Sequence, residues 1–203
     1  MKPVQAVIFD LGNVLLRVDE MRFALRLAAR ATKNPAALVE FFTRSAAVLA
    51  YSTGQSSSRE FYDAVVRETG YRGTVEEFTA IWCEIFTPIQ ATLTLAMNLK
   101  GKLPRVILSN TNALHMEYVF REFPVIRDFD GHILSHEVGL MKPDARIYEL
   151  TLRRYGLAAE RTVFIDDLEA NCAGARAVGL PVIQCKNPDQ VCRELTKLGV
   201  LSI

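Results

Sequence analysis

Five short runs rich in valine, isoleucine, leucine and phenylalanine constrain this chain more than any other feature. They are Val4–Phe9, Arg105–Ser109, His132–Ser135, Thr162–Asp166 and Pro181–Cys185. Runs of this length and composition read as buried strands. Helical stretches separate most of them. Tyr148, Leu152 and Tyr155 make an apolar stripe that ends at Gly156, and the segment 169–178 ends at Gly179, each glycine a helix stop. Strands alternating with helices predict an α/β fold: a doubly wound, mostly parallel, Rossmann-like sheet covered on both faces.

The stretch 17–88 reads differently, and no strand is expected in it. Phe78, Ile81, Trp82 and Ile85 recur at amphipathic helix spacing, and Leu38, Phe42 and Leu49 trace a similar face. Ser57 with Glu60 and Thr74 with Glu77 have the spacing of capping boxes. The expected organisation is an α/β core of residues 1–16 and 89–203, with an all-helical cap of residues 17–88 inserted after the first strand.

Composition narrows the function classes. Lysine and arginine total 24 against 23 acidic residues, a net charge of +1, and there is no basic run interleaved with aromatics. No nucleic-acid partner is therefore expected. No apolar stretch approaches the ~20 residues that span a bilayer, and the N-terminus lacks the pattern of a signal peptide. Cys83, Cys172, Cys185 and Cys192 show no Cys-x-x-Cys spacing, which suits reduced, structural thiols in a cytoplasmic protein. His132 and His136 would share a face if their segment were a strand, a weak hint of a metal site. The sequence sets no oligomeric state.

Polar groups gather where the strands end. Asp10 closes the first run and is followed by Leu11, Gly12 and Asn13; Ser109-Asn110-Thr111-Asn112 follows the second. Lys142-Pro143-Asp144 lies after the third, and Asp166-Asp167 closes the fourth. In a parallel sheet these ends share one edge, where open α/β sheets bind ligands. Adjacent carboxylates repel unless a cation is present, and their hard oxygens suit Mg²⁺. An aspartate so placed can act as a nucleophile, while lysine, hydroxyl and amide groups neutralise phosphoryl oxygens.

This order of motifs resembles the haloacid dehalogenase superfamily, most of whose members are Mg²⁺-dependent phosphatases. The resembling stretches are Phe9-Asp10-Leu11-Gly12-Asn13-Val14, Leu108-Ser109-Asn110-Thr111-Asn112, Gly139-Leu140-Met141-Lys142-Pro143-Asp144 and Phe164-Ile165-Asp166-Asp167-Leu168-Glu169-Ala170-Asn171. Residues 17–88 match its helical cap. Within the superfamily, the Ser109–His115 and Lys142–Tyr148 stretches look closest to bacterial α-D-glucose-1-phosphate phosphatases, and the phosphatase domain of soluble epoxide hydrolase is a more distant likeness.

The resemblance implies roles. Asp10 attacks phosphorus and forms an aspartyl phosphate, while its other oxygen binds Mg²⁺. The Gly12 carbonyl and Asp167 complete the metal ligands, with Asp166 acting through water. Ser109, Asn110 and Lys142 hold the phosphoryl group, and Asn171 orients Lys142 or a metal-bound water. The substrate implied is a small phosphorylated metabolite such as glucose 1-phosphate.

Position 12 departs from most phosphatases of the superfamily, which carry there an aspartate that protonates the leaving group. Glycine cannot transfer a proton. Two alternatives follow: a haloacid dehalogenase, whose branch also lacks that aspartate but works without Mg²⁺, and a phosphate-binding protein with little catalysis. Asp19 is a candidate substitute acid, although a helix-start role is favoured. Cap residues are expected to read the substrate, with Arg17 and the loop Tyr51–Ser58 as candidates.

Overall fold

The computed structural model describes residues 3–201. From the N-terminus, strand β1 (Ala6–Phe9) leads into β2 (Leu16–Val18). Helices α1 (Glu20–Ala28), α2 (Pro35–Arg44), α3 (Ala46–Ser52), α4 (Ser58–Thr69) and α5 (Val75–Cys83) follow, then β3 (Phe86–Pro88) and α6 (Gln90–Asn98). The rest alternates: β4 (Arg105–Ser109), α7 (Ala113–Glu122), β5 (Gly131–Leu134), α8 (Ser135–Val138), α9 (Ala145–Tyr155), β6 (Thr162–Asp166), α10 (Glu169–Ala177), β7 (Val182–Gln184) and α11 (Pro188–Lys197).

The main sheet has the order β5-β4-β1-β6-β7, and every pairing in it is parallel. Side chains alternate across it. Val7 and Phe9 point to a cluster with Met116 and Val119 of α7 and Val191 and Leu195 of α11. Ile8 points the other way, to Ile147 and Tyr148 of α9 and Ala175 of α10. Both faces are thus buried, as the continuous apolar runs require. The chain leaves β1 for β4 on one side and later returns to β6 on the other. The switch point falls at the C-terminal end of β1, where a crevice opens between diverging connections.

Helices α1–α5 build a second, aromatic-rich core of their own. Phe23, Phe42, Phe61, Phe78 and Trp82 are buried there with Leu27 and Leu38. The Ser57–Glu60 and Thr74–Glu77 capping boxes both form, each closing two otherwise unpaired backbone donors at a helix start. Leu49 is a correction: Ser45 ends α2 and caps α3, so Leu49 falls out of phase with Leu38 and Phe42 and is 57% exposed.

The expectation of no strand between 17 and 88 is also corrected. β2 and β3 pair antiparallel, Leu16 with Pro88 through Val18 with Phe86, into a ribbon that joins the helical segment to the sheet. Three-residue strands carry too little periodicity to be read from sequence. The third run begins and ends one residue earlier than its hydrophobic pattern suggested: β5 stops at Leu134, and His136 lies on α8. His132 and His136 therefore do not share a strand face. His132 Nε2 bonds the Ile126 carbonyl at 2.7 Å, and among the described residues the two form no metal-ligating group. The four cysteines are free, and burial pushes the thiols of Cys83 up to about 12 and of Cys172 and Cys185 up to about 11. No helix among the described residues is long and apolar enough to cross a membrane.

Candidate active site

The ends of β1, β4 and β6 and the loop before α9 meet at the switch point. A cavity of about 330 Å³ opens there, lined by Asp10, Gly12, Ser109, Asn110, Lys142, Asp167 and Asn171 among others. Asp10 sits at its floor. Its Oδ1 accepts from the Leu11 amide at 2.7 Å and lies 2.8 Å from Lys142 Nζ. Both contacts fall on one oxygen, and among the described residues no group donates to Oδ2. Burial pushes the Asp10 carboxyl up to about 7; the Lys142 ammonium pulls against it, and the Asp166 charge adds to it. A second cation beside Asp10 would favour the ionised, nucleophilic form.

Lys142 is buried between two acids, with Nζ 2.8 Å from Asp10 and 2.7 Å from Asp166 Oδ2. Burial alone would lower its pKa; the two carboxylates outweigh burial and raise it. The side chain therefore stays a cation, ion-paired to Asp10 and Asp166. Backbone contacts fix its loop. Asn110 Nδ2 donates to the Lys142 carbonyl, and the Lys142 amide donates to Asn110 Oδ1, both at 2.8 Å. Gly174 on α10 lets that loop approach, since a Cβ there would lie 2.6 Å from the Pro143 carbonyl oxygen.

Asp166 is wholly buried and saturated. Oδ1 accepts from the Leu168 amide at 2.9 Å and from Asn171 Nδ2 at 3.0 Å; Oδ2 accepts from Lys142 at 2.7 Å and from Asn171 at 3.1 Å. Asn171 thus reaches Lys142 only through Asp166. Asp167 is freer, with one bond from Asn13 Nδ2 to Oδ2 at 3.3 Å, and burial and Asp166 raise its pKa. Oxygens of Asp10, Asp166 and Asp167 lie within 4.8 Å of one another. Three hard carboxylates so close suit Mg²⁺, with Asp10 and Asp167 offering open lone pairs and Asp166 already committed to protein donors.

The loop after β4 is locked from beneath. Ser135 Oγ accepts from the Thr111 amide and donates to the Thr111 carbonyl, both at 2.9 Å. Asn110 has both side-chain functions spent on Lys142, which leaves its backbone N–H, not its amide, for an anion. Ser109 is mostly buried but lines the cavity, and its hydroxyl has no hydrogen bond among the described residues, so it is available to a ligand oxygen.

Several residues of the site escaped sequence reading. Asn13 has a positive φ of 53°, a conformation asparagine tolerates. It ties Asp167 to the ribbon, because its Oδ1 accepts from the Val18 amide at 3.2 Å. Asn112 caps α7, donates to His115 Nδ1 at 3.1 Å and accepts from Trp82 Nε1 at 3.4 Å. His115 stacks on Trp82 at 4.4 Å and bonds its carbonyl through Nε2. That nitrogen carries the proton, and burial lowers the pKa of the ring to about 4. These contacts weld α5 to α7. Only the Trp82 helical spacing was visible in sequence.

The expected substrate-reading residues divide. Ser52 lines the cavity, together with Val18, Glu20, Phe42, Val48 and Trp82. Tyr51 does not; its hydroxyl accepts from the Leu114 amide at 3.1 Å and pairs with Ser58 at 2.8 Å, a structural tie. Arg17 is exposed, because strand alternation turns it away from buried Leu16. Asp19 caps α1, accepting from the Arg22 amide at 2.8 Å, and does not line the cavity.

The fold and this site define a class of hydrolase. Residues 4–179 match the haloacid dehalogenase-like hydrolases, and the chain belongs to that family. It is 22% identical over 200 residues to the D-ribitol-5-phosphate phosphatase of Bacteroides thetaiotaomicron, covering 95% of this chain and 97% of that protein. Another relative is far longer: a 34% identical match over 89 residues spans 8% of acyl-CoA dehydrogenase family member 10 of Mus musculus and 43% of this chain. Among solved structures, a family enzyme from Bacteroides thetaiotaomicron in complex with magnesium and inorganic phosphate superposes with a TM-score of 0.82 at 26% identity, covering 90% of this chain and 94% of that one.

Proposed function

We propose that this protein is a Mg²⁺-dependent phosphomonoesterase that works through an aspartyl phosphate on Asp10. One observation carries the reading: Asp10 keeps one oxygen clamped by Lys142 and Leu11 while the other faces a cavity bordered by Asp167. Asp10, the Gly12 carbonyl and Asp167 would hold the cation; Asp166, expected to reach it through water, has both oxygens filled by protein donors and acts through its charge and its hold on Lys142. Bound there, the cation supplies charge neutralisation between the carboxylates and the phosphoryl oxygens. Residues 17–88 act as the cap that closes over it.

The protein groups do the rest. Lys142, the Ser109 hydroxyl and the Asn110 backbone N–H bind phosphoryl oxygens as charge shifts onto them. Asp10 attacks phosphorus, and the P–O bond to the leaving group breaks with its electron pair. Water then attacks phosphorus of the aspartyl phosphate, releasing inorganic phosphate and restoring Asp10. Asn171 and Asp166 act by holding Lys142 in place.

The substrate is a small phosphorylated metabolite. Gly12 supplies no acid, which favours leaving groups that depart without protonation; a sugar 1-phosphate such as glucose 1-phosphate qualifies through its acidic anomeric hydroxyl. The full-length likeness to a sugar-alcohol phosphatase supports a phosphate monoester. Haloacid dehalogenation is less supported, since that branch works without Mg²⁺ and the cluster of Asp166 and Asp167 beside Asp10 argues for a cation. A phosphate-release screen over many phosphoesters, with Mg²⁺ and with excess EDTA, tests the reading. Release that needs Mg²⁺ and disappears in Asp10→Asn is expected. Turnover equal in EDTA, or halide release without metal, would overturn it.

A further inference from the structure

A second, smaller cavity lies behind the first. It measures about 110 Å³ and is walled by Phe23, Val39, Thr43 and Ile85. Five residues line both cavities: Val18, Glu20, Phe42, Trp82 and His115. The small chamber therefore abuts the side of the active-site cavity formed by the helical segment, where a leaving group would project from phosphorus held at Asp10.

Its wall is hydrocarbon. Phe23, Phe42 and Trp82 pack on one another with centroids 4.5–5.1 Å apart. The polar atoms nearby are already spent. Trp82 Nε1 donates to Asn112, both His115 nitrogens are bonded, and the Thr43 hydroxyl donates to the Val39 carbonyl at 2.8 Å. Glu20 is the one charged side chain shared by the two cavities, and it is exposed at their edge. A polyol pushed into this chamber would leave its hydroxyls stripped of water and unpaired, which disfavours it. An apolar chamber of comparable size, about 150 Å³, stays dry and accepts a benzene ring.

We propose that this chamber is the leaving-group subsite, and that the substrate class is a phosphate monoester of a compact apolar alcohol: a phenol, bare or with a short alkyl substituent. The proposal rests on the phosphomonoesterase reading above and, among the leaving groups that reading admits without an acid, selects a phenol over the anomeric hydroxyl of a sugar 1-phosphate. Gly12 supports it independently. A phenol has a pKa near that of tyrosine, about 10, so phenolate leaves with the P–O electron pair and takes its proton from water afterwards. No acid at position 12 is required.

The test uses the full chain with Mg²⁺. Initial rates are compared for phenyl, 4-methylphenyl and 4-ethylphenyl phosphate, for α-D-glucose 1-phosphate, and for acetyl phosphate, whose leaving group is too short to fill the chamber. kcat/KM should rise roughly fourfold per added carbon until the chamber fills. Val39→Phe, which fills the chamber and touches no group at Asp10, should flatten that series while acetyl phosphate turnover stays within twofold. A flat series in the wild type, or glucose 1-phosphate turned over faster than phenyl phosphate, would overturn the subsite. Should Val39→Phe not fold, or no ester turn over, calorimetry of Asp10→Asn with Mg²⁺ decides. Binding of 4-ethylphenyl phosphate at least tenfold tighter than glucose 1-phosphate supports the chamber; equal binding overturns it. Loss of acetyl phosphate hydrolysis alone counts against the phosphatase reading and not against the chamber.

Discussion

Asn110 and Lys142 clasp each other through two backbone-to-amide hydrogen bonds of 2.8 Å, one in each direction. The pair joins the loop after β4 to the loop before α9. It sets where the Lys142 ammonium stands, between Asp10 and Asp166. Asn110→Ala breaks both bonds at once. Each is worth about 1 kcal/mol, so a loss of about 2 kcal/mol in urea unfolding is expected. The rate should suffer more, by about 10²-fold, because a displacement of ~1 Å at a charge-stabilising group has that effect. Stability loss without a kcat change would show that the clasp is merely structural.

Lys142→Met leaves the buried carboxylates of Asp10 and Asp166 without their cation. Removing one partner of a buried charge cluster typically costs about 3–5 kcal/mol. Added Mg²⁺ should restore part of that, because a cation at Asp10 and Asp167 replaces the missing charge. Thermal melts with and without Mg²⁺ check it: the metal-induced rise in Tm should be larger in the variant than in the wild type. Equal rises would mean that Lys142 and the metal do not share Asp10.

Gly12→Asp has room for its side chain. A Cβ at Gly12 meets only Val18 Cγ2, at 3.4 Å, and φ there is not in the left-handed region. The new carboxyl would line the cavity and supply the missing acid. General acid help is worth about 10²–10⁴-fold, and poor leaving groups gain most. The ratio of sugar 1-phosphate to 6-phosphate hydrolysis should therefore fall in the variant. An unchanged ratio in a folded protein would separate the selectivity from position 12.

Gly174→Ala tests a contact with no catalytic atom in it. The added methyl would meet the Pro143 carbonyl oxygen at 2.6 Å and Tyr148 at 3.1 Å. Overpacking of this kind costs about 1–3 kcal/mol. The displaced loop carries Lys142, so kcat should drop together with Tm. A full kcat alongside a lowered Tm would show that the loop yields without moving the ammonium.

His115 gives stability a pH dependence. Burial holds it neutral, with a pKa near 4 against an ordinary 6.5. The unfolded chain therefore binds the proton more readily. The contribution of His115 is fully present above pH 6.5, declines as pH falls, and is lost below pH 4, about 3 kcal/mol in total. Asp10, raised to about 7, contributes with the opposite sign in the same window. The histidine effect is accordingly read as the difference between wild type and His115→Gln in urea unfolding at pH 7.5 and 4.5. His115→Gln should narrow its gap to wild type at the lower pH; a constant gap would mean that the ring is protonated in the fold.

The sequence by itself determined the sheet, its winding and the edge on which the chemistry gathers. Each strand carries its own signal in a continuous apolar run, and chain direction in a parallel sheet sends every strand's polar end to one side, so Asp10, Ser109 and Asp166 are legible in the chain itself. The tertiary structure decided what each polar group has left to give. Asn110 reads as a phosphate ligand in sequence, but its amide is consumed by the Lys142 backbone, and Asp166 is saturated by Asn171, Leu168 and Lys142. It also decided which residues between 17 and 88 face Asp10. Tyr51 and Arg17 turn away, while Glu20, Phe42 and Trp82 turn inward, because the three-residue ribbon of Leu16–Val18 and Phe86–Pro88 fixes how the helices sit over the sheet. Hydrogen-bond partners distant in sequence, and the docking of one core on another, leave no periodic trace along a chain.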